Sequence, residues 1–404
     1  MMRQNESPRA SKRVPVDPAL LAGTLMLALV GVVMVFSASG VLAENKYHDS
    51  LYFLKRQLIW LSGGLLIMHV VSRIEYTFWK ELSIPLLFLA TILLVLVLVP
   101  SLGTVVKGAR RWLHIGAINI QPAELTKFVM VMYVAAYISK KQDQLSHFTR
   151  GLLPPLIVLG ALSTLVLLEP DLGTVVVISV VVITLLFLAG ARIKHLGLLS
   201  LGILPAVAAL IFGSSYRWER LLAFWRGASH HMTQSILAFG SGGVFGVGLG
   251  KGEQKLGYLP EPHTDSILAV IGEEMGLVGV VAILLLYGLL VLKGFQIAGR
   301  AGNVFGRNLA LGITMLIGTQ ALINVGVATG LLPTKGLTLP LVSYGGSSLV
   351  VNLFGIGILL SISRDRQGGH ETGRPSHKQK RDRPVRVFKP GRDYRRQSQK
   401  TFSY

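Results

Sequence analysis

The chain has no cysteine among its 404 residues. That excludes disulfides, thiolate nucleophiles and cysteine-ligated metals. Charge is also scarce: Asp, Glu, Lys and Arg make up 15% of the sequence, against 51% hydrophobic residues. Several apolar runs exceed the roughly 18 residues that mark a membrane-spanning helix. They are continuous rather than alternating, which argues against a spanning β-barrel. An all-α polytopic membrane protein is expected.

Acidic residues are the rarer sign, 20 against 40 Lys and Arg, and the net charge is +20. In a soluble protein this excess would point to nucleic acid. Here its distribution points to membrane topology and anionic lipid instead, so no nucleic-acid partner is expected. Residues 364–404 hold 13 Lys and Arg against 4 Asp and Glu, among many Gln, Ser, Gly and Pro. This reads as a disordered cytoplasmic tail that touches membrane lipid. Arg3, Arg9, Lys12 and Arg13 precede the first apolar run. That run, 19–42, is longer than the about 7–15 residues of a signal-peptide core, so it reads as an uncleaved helix.

A bundle of about ten transmembrane helices is expected, near 17–42, 52–71, 82–99, 122–139, 152–168, 173–190, 195–213, 266–292, 308–331 and 341–363. The chain divides into a cytoplasmic segment 1–16, a membrane domain 17–363 and the tail 364–404. Lys and Arg in the turns at 72–81, 140–150, 191–194 and 293–307 put those turns, and both termini, on the cytoplasmic side. The connections 43–51, 100–121, 169–172, 214–265 and 332–340 then face outward. The large loop 214–265, between the seventh and eighth helices, is far longer than an ordinary connection. Such loops tend to be functional or disordered, and its dense, non-repetitive mixture of residues argues against disorder.

Two outward loops carry cations against the topology rule: Lys107, Arg110 and Arg111 in one, Arg217, Arg220, Arg226, Lys251 and Lys255 in the other. Phosphate binding is a natural use for them. The long loop ends in Leu259-Pro-Glu-Pro-His-Thr-Asp265. Asp265 could cap the next helix. Beside Glu261 and His263 it could equally accept a proton or hold a metal. Glu273 and Glu274 lie deeper in that helix, either paired with a basic residue on a neighbouring helix or functional. Glu124 and Lys127 stand three apart on one helix face and should form a salt bridge that positions neighbouring basic groups. Glu169-Pro-Asp171 reads as a tight turn with a helix cap. Ser343 to Ser348 open the last helix, where small residues pack closely and hydroxyls could line an outward cavity. Lys335 is a further outward cation nearby.

The glycine-rich string 240–252 is not a P-loop. Phe245 stands where the first Gly is needed, and Gly252 where Ser or Thr is needed. Close backbone packing or a re-entrant turn fits it better.

Together these motifs resemble the SEDS family (shape, elongation, division and sporulation) of bacterial lipid-linked peptidoglycan polymerases. The segments are Lys107–Trp112, Gln121–Leu125, Glu169–Thr174, Gln234–Ala238, Gly240–Gly243, Pro260–Asp265 and Leu339–Ser348. Lys107-Gly108 and Pro333–Pro340 are similar to the division-type branch. Ser266-Ile-Leu268 and Lys251-Gly-Glu253 depart from the expected pattern. The resemblance implies a ten-helix bundle in the inner membrane that joins lipid II molecules into glycan strands during septal wall synthesis. It implies Asp265 as catalytic base. Lys107, Arg110, Arg111, Glu124, Lys127, His263, Lys335, Ser343 and Ser348 are the substrate-binding candidates. A divalent cation, Mg or Mn, is expected to share the work. The implied partners are a class B penicillin-binding transpeptidase and other division proteins. A lipid II transporter, worked by Glu273 and Glu274, is the rival expectation.

Overall fold

In the computed structural model, residues 15–365 are described except for 107, 117, 228, 335 and several positions between 196 and 211. Most of the N-terminal segment and the basic tail thus lie outside the described residues. The chain runs α1 (Pro18–Tyr47), α2 (Tyr52–Val71), α3 (Phe78–Leu98), α4 (Pro122–Lys141), α5 (Leu153–Leu168), α6 (Leu172–Leu188), α7 (Ser215–Trp225), α8 (His230–Gly242), α9 (Ile267–Gly299), α10 (Val304–Ala328) and α11 (Gly346–Arg364). Every expected span except the seventh coincides with a helix; the seventh lies largely outside the described residues. Among the described residues, six helical segments are long and apolar enough on their own to cross a membrane. Side chains such as Leu29, Leu66, Phe88, Leu285 and Leu322 are exposed on the bundle's surface. That suits a protein whose solvent there is hydrocarbon.

Capping explains several helix starts. The Asp17 carboxylate accepts from the backbone N–H of Ala19 and Leu20, both at 3.1 Å, with Pro18 in the first turn. Asp171 caps α6 as expected: Thr174 donates to it through its N–H at 3.1 Å and its hydroxyl at 2.8 Å. The least apolar span, α4, is central. Nearly all of it from Pro122 to Ile138 is buried, so its polar residues meet protein rather than lipid.

Two of the connections expected to face outward hold more structure than expected. The 100–121 connection folds into an antiparallel sheet of β1 (Gly103–Val106), β2 (Ala109–Ile115) and β3 (Ile118–Ile120), an addition to the helical bundle. The long loop contains α7 and α8. Its glycine-rich part then turns back against α9.

That return explains the glycines. Helix α9 is broken at Gly276, which has φ 65°. Val247 and Gly248 donate N–H groups to the carbonyls of Glu273 and Glu274, each at 3.0 Å. In return Leu277 and Val278 donate to the carbonyls of Gly243 and Val244, at 2.9 and 3.2 Å. The break leaves no helical partner for these groups, and the re-entrant segment supplies one, as backbone at membrane depth requires. A Cβ on Gly276 would sit 2.4 Å from the Gly246 nitrogen, so only glycine fits.

Candidate functional site

The connections expected to face outward converge on a cavity of about 1620 Å³. Its lining includes Arg56, Arg111, Trp112, Pro170, Arg220, His231, Glu261, His263, Asp265, Thr338, Tyr344 and Ser348. Loops far apart in sequence thus share one end of the bundle.

Asp265 is held through its backbone. Ser266, not Asp265, occupies the cap position of α9. The Ser266 hydroxyl donates to the Pro260 carbonyl at 2.7 Å and lies 3.0 Å from His231 Nε2. The three preceding carbonyls are each tied to another element. His263 O accepts from Tyr344 N at 2.9 Å. Thr264 O accepts from the Ser343 hydroxyl at 2.6 Å, and that hydroxyl also accepts from Leu339 N at 2.8 Å. Asp265 O accepts from Asn324 Nδ2 at 3.2 Å, and the same amide donates to Leu337 O at 2.7 Å. The carboxylate lies against Gly336, where a Cβ would stand 3.3 Å from Asp265 Oδ2. Ser343 therefore positions the site from behind the cavity wall. His263 lines the cavity and packs on Phe53, with ring centroids 4.5 Å apart.

The expected cations separate. Arg111 lines the cavity and Arg110 does not. They are neighbours on β2, and successive strand side chains point to opposite faces. The Arg111 guanidinium donates to the carbonyls of Glu169 and Pro170 at 2.9 and 2.6 Å. Lys107 and Lys335 lie outside the described residues, although their neighbours Gly108, Thr334 and Gly336 line the cavity. Arg220, midway along α7, and Arg56, on α2, add two more cations to the lining.

Glu124 and Lys127 are not cavity residues. Lys127 Nζ meets Glu124 Oε1 at 2.8 Å, with both side chains buried. The ammonium also donates to Gln320 Oε1 at 2.8 Å, and Gln320 Nε2 donates to Thr338 O at 3.1 Å. Thr338 Oγ1 lies 3.1 Å from Ser348 Oγ on the cavity wall. The salt bridge expected from the spacing is present, and it supports the wall from beneath instead of touching a ligand.

Glu273 and Glu274 secure the re-entrant segment. Glu273 accepts from the N–H groups of Glu253 and Gln254 at 2.7 and 3.1 Å. Glu274 pairs with Lys255 at 2.5 Å and accepts from Ser37 and from Gly250 N. The basic partner comes from the long loop, not from a neighbouring helix.

Burial, the nearby Asp171 and, in opposition, Arg111 leave the Glu169 carboxyl raised to about 8. Burial, with Arg220 and His230 nearby, lowers His231, against a raising contribution from Glu261.

A family model described as a cell cycle protein, FtsW/RodA/SpoVE, matches residues 18–368. The chain belongs to the FtsW/RodA/SpoVE family. It is 47% identical over 353 residues to a probable peptidoglycan glycosyltransferase FtsW of Trichlorobacter lovleyi, covering 86% of this chain and 93% of that protein. It is 41% identical over 360 residues to stage V sporulation protein E of Bacillus subtilis, covering 88% and 98%. Among solved structures, a chain of a peptidoglycan synthase complex superposes with a TM-score of 0.73 at 30% identity, covering 87% of this chain and 99% of that one. The rod shape determining protein RodA of Thermus thermophilus gives 0.64 at 31%, covering 87% and 98%. The relatives named FtsW make this chain a division-type member of the family.

For this FtsW/RodA/SpoVE protein, the sequence reading passed over Arg56 as a site residue. A cation in an outward-facing first turn of a helix, beside Tyr52, was the available signal. Asn324 and Gln320 were also missed; two carboxamides within an apolar span were the sign that they had partners to meet. Among the described residues no cluster of three or more His, Asp or Glu side chains could hold a metal unaided. One carboxylate facing substrate phosphates is nevertheless a common arrangement for Mg²⁺, and Asp265 is the cavity carboxylate that would take that place.

Proposed function

We infer that this membrane protein is a peptidoglycan glycosyltransferase that polymerises lipid II at the outer face of the cytoplasmic membrane during septal wall synthesis. The observation that carries this reading is the sharing of one cavity, at the bundle's end, by the Asp265 carboxylate and the guanidinium groups of Arg111 and Arg220. Leu42 and Ile59 line the same cavity, and Ile59 is 70% exposed on the bundle's surface. A lipid chain can leave the cavity past them into the bilayer while its sugars stay at the Asp265 end.

The acceptor sugar's 4-hydroxyl attacks C1 of the donor N-acetylmuramic acid. The new C–O bond forms as the bond from C1 to the phosphate oxygen breaks, and undecaprenyl pyrophosphate leaves with the electron pair. Asp265 takes the hydroxyl proton. Negative charge grows on the leaving group, where Arg111 and Arg220, with Lys107 and Lys335, stabilise it. A divalent cation held by Asp265 and the substrate phosphates would add positive charge at the same point. Tyr344, Ser343 and Asn324 keep the carboxylate in register through its backbone, and Ser348 lines the sugar end.

The charge distribution supports cytoplasmic termini. The structural relative in a peptidoglycan synthase complex supports a transpeptidase partner, and the division-type relatives support a septal location. A transporter reading would need Glu273 and Glu274 for transport, whereas both are engaged in holding the re-entrant segment. The test is purified protein with lipid II in detergent, alone and with a cognate transpeptidase. Glycan strands from wild type and none from Asp265→Ala support the reading; no strands from wild type in either condition overturn it.

A further inference from the structure

Glu169 is the buried acid that this chemistry leaves unused. It ends α5 as its C-cap residue and is 0% exposed. Neither carboxyl oxygen finds a hydrogen-bond partner among the described residues. Two charged groups face it: Asp171, from the cap of α6, and Arg111, from β2. Asp171 is engaged with Thr174 through both oxygens. Arg111 is fastened to the backbone of the Glu169–Pro170 turn at 2.9 and 2.6 Å and faces the cavity. The turn that carries the acid therefore also carries the cation.

A buried carboxyl without hydrogen-bond donors favours its neutral form. Kept neutral, it leaves the Arg111 charge uncompensated and open to an anion in the cavity. Once ionised, it places a negative charge beside Arg111, which opposes that anion and competes for the guanidinium. We propose that Glu169 is a positioning residue whose protonation state sets the strength with which Arg111 holds the pyrophosphate of a lipid-linked substrate. By linkage, an anion bound at Arg111 keeps the proton on Glu169, and loss of that proton weakens the anion. Burial raises Glu169 to about 8, so the weakening falls above that pH.

This rests on the pyrophosphate role given to Arg111 above, so the test reads binding and needs no polymerisation. Farnesyl pyrophosphate serves as the probe, with the full-length protein in detergent, at intervals from pH 6.5 to 9.5. The wild-type Kd is expected to rise roughly fivefold between pH 8 and pH 9 as the neutral acid is lost. Glu169→Gln is expected to lack this alkaline limb. Ionisation of the probe itself is common to both proteins and cancels in their ratio. Parallel profiles for wild type and Glu169→Gln overturn the proposal. Should Glu169→Gln fail to fold, Arg111→Gln decides: weak binding without the alkaline limb supports the proposal, and a surviving limb refutes it. Pyrophosphate binding with this limb but no glycan strands would refute the polymerase reading and leave this one standing.

Discussion

Replacing Glu274 by Leu removes the charge that meets Lys255 Nζ at 2.5 Å. Both side chains are buried, with 5% and 0% exposure. The change leaves an ammonium enclosed between α1 and the re-entrant segment, with Ser37 Oγ and the Gly250 carbonyl as its remaining acceptors among the described residues. Breaking one side of a buried pair costs about 3–5 kcal/mol, because the remaining charge is uncompensated. Lys255→Met should cost a similar amount through the stranded carboxylate. The double variant Lys255→Met/Glu274→Leu removes both charges and should recover more than half of either loss, since an apolar pair often replaces an ion pair at little cost. The assay is denaturant unfolding in mixed micelles for the wild type and all three variants. Limited proteolysis of residues 245–256 reports on the same segment locally. Single variants within about 0.5 kcal/mol of wild type, or additive losses in the double variant, would refute the claim that this pair pins the loop into the bundle.

Two further outcomes are expected. Ser343→Ala removes the bonds to Thr264 O and Leu339 N, which should cost about 1–2 kcal/mol of stability. In a lipid II polymerisation assay it should lower kcat more than it raises KM, because it loosens the base rather than the substrate. Glu169→Gln should change the pH dependence of thermal unfolding. The folded state keeps a proton on Glu169 up to about pH 8, while the unfolded chain releases it near its ordinary value of 4.5. Stability from this group is therefore complete below about pH 4.5 and declines as pH rises to about 8. The melting temperature of Glu169→Gln relative to wild type should climb across that window and level off above it; a constant difference would count against a buried neutral acid.

Much of this architecture was legible in the sequence because membrane helices announce themselves by length and apolarity. Alternation of charged turns then sorted the loops, and the loops sorted outward do line one cavity. The Glu124–Lys127 pair was legible because spacing on one helix fixes it. The partner of Glu274 was not. Lys255 and Ser37 reach it across sequence gaps of 19 and 237 residues, which no local pattern encodes. The glycine string was read as re-entrant or closely packed, but its purpose needed the break at Gly276, visible only once the two backbones meet. Arg110 and Arg111 were taken as equivalent cations; the strand that separates them is short and lay inside a connection read as loop. Asp265 was ambiguous between cap and base by position alone. The structure gives the cap to Ser266 and turns Asp265 toward the cavity.

The central claim is that Asp265 acts as the base. The most direct measurement is a single-turnover rate of lipid II coupling by Asp265→Asn, with lipid II affinity measured in parallel on the same preparation. The account predicts a loss of at least about a hundredfold in the coupling rate, in line with the contribution of a positioned general base, and an affinity within a few-fold of wild type. Coupling at the wild-type rate by Asp265→Asn would contradict it.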